Sequence, residues 1–490
     1  MANYKHGVYV SETATSLIPT VNVDSAIPFV VGIAPVNGVS DPHVNEPVLV
    51  NSYKEAVAAL GFEPAQKVDA AGNKKFRFGM SEFMYANFNF AGIVPCILVN
   101  VLDPSKHRTA LDTKTVTIAK GTGTIAELGV LPSTLSLTNA EGVAYTDGTD
   151  YETAFDDDGY LVVNVIGSKI SDGDLTIATG FKIDPTAVSK ADIIGGIDAA
   201  TGKKKGLELI SDVYPKFRVI PTLILAPGFS TDPEVASIMA AKAVNINGHF
   251  NALALCDAPV TGTTKTYSNV TEWKNQNSVT NAQQVVCWPK VRNAETVYSL
   301  STILAGVIGT TDNANGNVPY CSPSNNAAPI TGLCDDDGGE IVIGNEEANY
   351  LNGQGVVTCL NFTSGWVIWG NRTASYPGNT DPKDSFIPVK RMFYWVENTV
   401  TLTAWQKVDK PMNRRLVHTV VDSLNVWING LVSREQLLGG KLEFREDDNT
   451  TTELMDGIMH FKFFMTPPSP ARDMEFDFEI DTSYYSTLFE

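Results

Sequence analysis

The sequence has little of what chemistry at a metal or an activated nucleophile requires. Its six histidines are scattered, no His-Glu-x-x-His occurs, and no cysteine lies close to any of them in a metal-ligand pattern, so neither a zinc centre nor a Cys-His site is expected. The six cysteines (Cys96, Cys256, Cys287, Cys321, Cys334, Cys359) form no C-x-x-C pair and no compact framework, which points to reduced, buried thiols and a cytosolic site of synthesis. No apolar run approaches the ~20 residues of a membrane span, and Met1-Ala2-Asn3-Tyr4-Lys5-His6 lacks the apolar core of a signal peptide. Basic charge is also scarce: 36 Lys+Arg against 55 Asp+Glu leave a net charge of −19. That balance argues against nucleic-acid binding, which needs a basic surface to release counterions.

What is present suffices for several cores. Of the 490 residues, 43% are hydrophobic and 19% charged, and at ~150 residues per domain the length suggests about three domains. Between Asn51 and about 309, helical and extended patterns alternate. Ser52 to Gly61 carries a Ser cap, Glu55 three residues on and a terminal Gly, a short helix. Apolar runs at 97–102, 219–225, 251–256 and 283–288 are candidate buried strands, with helices at about 80–90, from Asp232-Pro233 to Ala243, and at about 295–309. Such alternation predicts an α/β core with a largely parallel sheet. Residues 106–195 break it with short alternating runs and Gly-, Asp- and Thr-rich turns, predicting a small all-β domain inserted in the core. Its seven basic and thirteen acidic residues give a net −6, as suits a solvent-facing decoration.

Beyond about 380, Asp409-Lys410-Pro411 is expected to open an amphipathic helix with Met412, Leu416, Val420, Leu424, Trp427, Ile428 and Leu431 on its apolar face. Strands are predicted at 441–445 and 458–465. In Asp473 to Asp481, apolar Met474, Phe476, Phe478 and Ile480 alternate strictly with carboxylates, so a strand there would be apolar on one face and acidic on the other. Such a terminal strand needs a sheet edge to join. Residues 4–12 are a second candidate terminal strand.

Several motifs fall short of chemistry. Gly196 to Lys205 hints at a phosphate loop, but Thr201 stands where the second glycine belongs and Lys204 where a Ser/Thr should bind magnesium. Gly121-Thr122-Gly123 reaches Pro132 too soon for the helix that a dinucleotide fold requires. Asp335-Asp336-Asp337 lacks calcium-loop spacing and suggests a solvated acidic loop. Ala226-Pro227-Gly228, between a strand and a helix, lies where α/β proteins often bind ligands, although a plain turn is the simpler reading. No cofactor is expected, and no catalytic constellation.

Taken in order, Gly7-Val8-Tyr9-Val10, Pro28 to Ala34, Val219 to Pro227, Ser299 to Gly306, Asn349 to Val356, Trp369-Gly370-Asn371-Arg372-Thr373, Val389-Lys390-Arg391-Met392, Gly440-Lys441-Leu442 and the ending from Pro467 to Ile480 resemble the tail sheath proteins of contractile phages and related contractile injection particles. The resemblance covers nearly the whole chain except about 106–195. It implies an amino-terminal arm (1–22), an α/β core (23–105 and 196–380), the insertion on the outer surface, a tube-facing carboxy-terminal α+β domain (381–472) and a carboxy-terminal arm strand (473–490).

Arms carrying Val8, Tyr9 and Val10, and Met474, Phe476, Phe478 and Ile480, would cross to neighbouring subunits and add to their sheets. The implied partners are other copies of the chain in a helical homopolymer, the tail tube protein, and baseplate and tail terminator proteins, with no nucleic acid and no membrane insertion. The implied location is the virion tail, assembled in the host bacterial cytoplasm. Six basic residues between 388 and 418 (Lys390, Arg391, Lys407, Lys410, Arg414, Arg415) outnumber Glu397 and Asp409; the resemblance implies that Lys407, Lys410, Arg414 and Arg415 face an acidic tube, the alternative being a solvated helix face or contacts between sheath subunits. The alternatives are the sheath of a bacteriocin-like or other injection particle, and an α/β enzyme.

Overall fold

The near-continuous apolar runs suit strands covered on both faces, and the computed structural model, which describes residues 19–489 apart from 174 and 364, pairs them in that way. Strands β1 (Pro28–Gly32), β2 (Pro47–Val50), β3 (Cys96–Asn100), β4 (Leu223–Leu225), β5 (Leu253–Asp257), β6 (Gln284–Cys287), β7 (Val356–Asn361) and β8 (Trp366–Trp369) form one sheet in the order β2-β3-β1-β4-β5-β6-β7-β8. Neighbours from β3 to β7 run parallel, while β2 and β8 close the edges antiparallel. Phe29 pairs with Ile97 on one side and Ile224 on the other, and all three are fully buried.

Crossover helices cover this sheet. Helix α1 (Tyr53–Leu60) is capped by Ser52, whose hydroxyl accepts from the Glu55 amide at 3.2 Å. It stops at Gly61 with φ +72°, where a Cβ would lie 2.2 Å from the Pro35 carbonyl oxygen, so only glycine fits. Helix α2 (Gly79–Ala86) ends in a π turn over Asn87–Ala91, and α3 (Pro233–Lys242) is capped by Asp232. Helices α4 (Tyr267–Gln276) and α5 (Leu300–Ala314) belong to the same covering, as do shorter helices at Ile210–Phe217 and Asn345–Gly353.

Residues Arg108 to Ile183 form two three-stranded sheets around a separate apolar cluster that includes Val116, Ile125, Leu137, Leu161 and Val163. The β-unit is narrower than 106–195. Val188 and Ile193, the latter on the short helix Lys190–Ile194, are buried in the main core, because two apolar side chains outweigh the turn-rich composition around them.

Helices α6 (Ile387–Trp405) and α7 (Arg414–Ser433) follow, then the antiparallel pair β9 (Gly439–Phe444) and β10 (Phe461–Thr466). The main apolar cluster runs without a break from the central sheet through Ile387, Met392 and Trp395 to Leu416, Ile428 and Leu442. The carboxy-terminal helices therefore share the α/β core and do not enclose one of their own.

Helix α7 starts at Arg414, where the Asn413 side chain accepts from the Leu416 amide at 2.9 Å, and not at 409, because Asp409 takes a left-handed φ of +61°. Met412 consequently lies before the helix. The aspartates at 335–337 are not simply solvated: Asp335 pairs with Lys265, Asp336 with Lys290 at 2.9 Å, and Asp337 reaches Lys75 and Lys265. Gly196–Ile197 and Lys204–Lys205 make a hairpin, and the six cysteines carry no disulfide, five of them being buried.

Candidate assembly surfaces

Helix α7 buries Leu416, Val420, Leu424, Trp427, Ile428 and Leu431, the stripe its periodicity demands. Trp427 meets Trp395 of α6 with ring centroids 5.5 Å apart. The same stretch of α6 holds the root of the amino-terminal segment. Trp395 Nε1 donates to the Val23 carbonyl at 2.7 Å, Arg391 Nη2 to that of Ser25 at 3.0 Å, and the Thr403 hydroxyl accepts from the Val21 amide at 3.1 Å. Val8, Tyr9 and Val10 lie outside the described residues.

Two of the six basic residues do not reach the surface. Lys390 and Arg391 are 8% and 4% exposed and paired with Asp384 and Asp312; they occupy the buried side of α6, which charge counting along the sequence cannot reveal. The other four flank the turn between α6 and α7. Lys410, Arg414 and Arg415 are exposed and Lys407 is half-buried, and Arg414 Nε donates to His418 Nε2 at 3.1 Å. Trp405, Val408 and Met412 are exposed among them, so this tip presents apolar and basic side chains together.

The β9–β10 pair lies on α7. Gly440 permits the contact: a Cβ there would sit 2.9 Å from Ile428 Cγ2. The Asn425 side chain grips Leu442 of β9 twice, donating to its carbonyl at 3.0 Å and accepting from its amide at 2.8 Å. In effect it caps the outer edge of β9. The outer edge of β10 carries no such cap among the described residues. One face of the pair holds Leu442, Phe463 and Met465 toward α7, and the other holds Lys441, Lys462 and Phe464.

Residues 473–481 form no strand within the chain. A strand exists only against a partner backbone, and among the described residues this segment pairs with none. Met474, Phe476 and Ile480 are exposed, and Phe478 is 97% exposed; residues 482–489 continue as a 3-10 helix. The root of this segment, 468–474, forms one wall of a cleft of about 1030 Å³ whose other wall includes Trp369, Gly370, Asn371 and Arg372. Arg372 is fixed between the rings of Phe386 and Tyr376, 3.7 and 4.3 Å from their centroids, and donates to Ser385 Oγ at 2.8 Å. Sequence reading missed Asn425 and Lys462, and gave Lys441 no role beyond its motif; their significance depends on which edge is open.

Among the described residues no group of three or more His, Cys, Asp or Glu side chains could hold a metal, and no helix is long and apolar enough to cross a membrane. The Ala226-Pro227-Gly228 turn is filled by packing, since a Cβ on Gly79 would fall 2.4 Å from the Pro227 carbonyl oxygen.

No family model matches the chain. The tail sheath protein of Burkholderia phage BcepMu is 29% identical over 510 aligned positions, covering 99% of each chain. A putative prophage major tail sheath protein of Pseudomonas aeruginosa is 25% identical, over 64% of this chain and 79% of that one. Among solved structures, the contracted sheath complex of an extracellular contractile injection system, PVC, superposes with a TM-score of 0.59 at 15% identity, covering 99% of each chain. Over its whole length, in sequence and in fold, this chain is similar to contractile tail sheath proteins.

Proposed function

We propose that the chain is the structural subunit of a contractile tail sheath that polymerises around a tail tube by exchanging its arms between subunits. The observation that carries this is the segment 473–481, apolar on alternate positions, exposed, and without a strand partner among the described residues. The open edge of β10 is the acceptor. An arm laid along it would turn Met474, Phe476, Phe478 and Ile480 toward the α7 side beside Phe463 and Met465, and its carboxylates toward Lys462 on the opposite face. A contact of this kind is head-to-tail and builds a filament.

In this reading the insertion faces outward, the arm of residues 1–22 is exchanged as well, and the α6–α7 tip, with Lys407, Lys410, Arg414 and Arg415, faces an acidic tube. Baseplate and terminator proteins contact the ends of the cylinder, and the particle is a phage tail. Contraction is a rigid-body change between two subunit packings that drives the tube through the host envelope. Negative-stain microscopy of the concentrated full chain tests the proposal: hollow striped cylinders are expected, and a monodisperse soluble protein at every concentration would overturn it.

A further inference from the structure

Among the described residues, a buried lysine without a paired carboxylate lines a cleft formed by the end of α4 and the loops around Asn281 and Tyr376. Lys274, in the last turn of α4, is 1% exposed. Its Nζ donates to one acceptor, the Tyr376 carbonyl at 3.2 Å, although an ammonium carries three N–H groups. Among the described residues no carboxylate pairs with it; Asp384, which holds Asn379 of the adjoining loop at 3.2 Å, is already bound to Lys390 at 2.7 Å. Burial alone pushes the Lys274 ammonium down to about 8, the response of a cation removed from water without a partner.

The cleft above it, about 530 Å³, is lined by Lys274 together with Asn275, Asn281, Gln354, Tyr376 and Asn379. No hydrogen bond among the described residues uses the side-chain amides of Asn275 and Asn281, which are exposed, or of Gln354, which is half-buried, so the cleft holds amide donors as well as the lysine. A buried charge that lacks its bonds is costly unless an ion of opposite sign completes it. A chain with net charge −19 nevertheless supplies no carboxylate at this place.

We infer that this cleft is an oxyanion site, with Lys274 as the charge and the amides of Asn281 and Gln354 as donors. The oxyanion is either free phosphate or a carboxylate of a second copy of the chain, and two measurements separate the sources. In the first, the unassembled full chain is titrated with inorganic phosphate. A saturable rise in Tm of about 2 °C or more, absent from Lys274→Met, assigns the site to a free oxyanion. In the second, sedimentation compares the assembly of wild type and Lys274→Met without phosphate. A chain indifferent to phosphate whose variant melts like the wild type but assembles about tenfold less assigns the anion to a neighbour's carboxylate.

If Lys274→Met does not fold, Asn281→Ala and Gln354→Ala, which keep the ammonium, are expected to weaken the same response. No phosphate response and unimpaired assembly would overturn the site. Only the second measurement rests on the sheath proposal; a wild type that never assembles would count against that proposal and leave the phosphate titration to decide this one.

Discussion

Arg391 of α6 and Asp312 of α5 form a buried two-point ion pair, with Nη1 3.0 Å from Oδ1 and Nη2 on Oδ2, while the same Nη2 holds the Ser25 carbonyl. One guanidinium thus ties the core, the carboxy-terminal helices and the root of the amino-terminal segment. Removing one partner strands a charge in the interior. Arg391→Met is expected to cost about 3–5 kcal/mol in denaturant unfolding, and Arg391→Met with Asp312→Leu to cost less than Arg391→Met alone, because no buried charge is left over.

Deleting 473–490 should abolish polymerisation and leave a folded subunit, since the segment's apolar side chains are exposed in the isolated chain. Circular dichroism and sedimentation check this; long sheaths from the truncated chain would refute the arm's role.

Arg108 and Ile183 are ladder partners at the base of the insertion, so its two ends are already adjacent. Replacing 109–182 by a short linker, which keeps Ile183 in the main core and gives up only Leu131 from it, is expected to preserve folding and assembly. Excising 106–195 removes Val188 and Ile193 from the main core, about 1.5–3 kcal/mol for each side chain, and should lower Tm well below that of the shorter excision.

Glu82 of α2 accepts from the Ser299 amide at 2.7 Å, and Asp257 of β5 from the Ser301 amide at 2.9 Å. Both lie buried at the start of α5 near Lys290, and burial raises both carboxyls above their usual range, with Lys290 and the hydrogen bonds opposing. A raised carboxyl makes the folded state bind more protons than the unfolded state, so its contribution to stability falls as pH rises through the interval above 4.5 for Glu82. The stability difference between Glu82→Gln and wild type should therefore move in favour of the variant from mildly acidic to neutral pH. Unfolding curves across that range measure it; a pH-independent difference would contradict it.

Replacing Lys410, Arg414 and Arg415 by Gln should leave subunit stability within about 0.5 kcal/mol, as for exposed side chains generally. Binding to a tube should weaken and lose part of its salt dependence. Co-sedimentation with tubes at two ionic strengths reads both effects.

Strands β3 to β6 were legible because strands covered on both faces must be continuously apolar, and Ser52, Gly61 and Asp232 punctuate helices by local chemistry, whereas β2, β7 and β8 were not read as strands. The face of α7 was legible from its period. The burial of Lys390 and Arg391 was not, since their partners Asp384 and Asp312 are fixed by the packing of α6 against α5 and the loop before it.

By itself the sequence determined the alternation of Met474, Phe476, Phe478 and Ile480 with carboxylates, a pattern set by the two-residue period of extended backbone. Only the tertiary structure decided that, among the described residues, no sheet edge takes that segment, that Asn425 closes β9 at Leu442, and that β10 has no such cap. Backbone hydrogen bonding is a relation between segments brought together in space, and no local pattern states which edge is left unpaired.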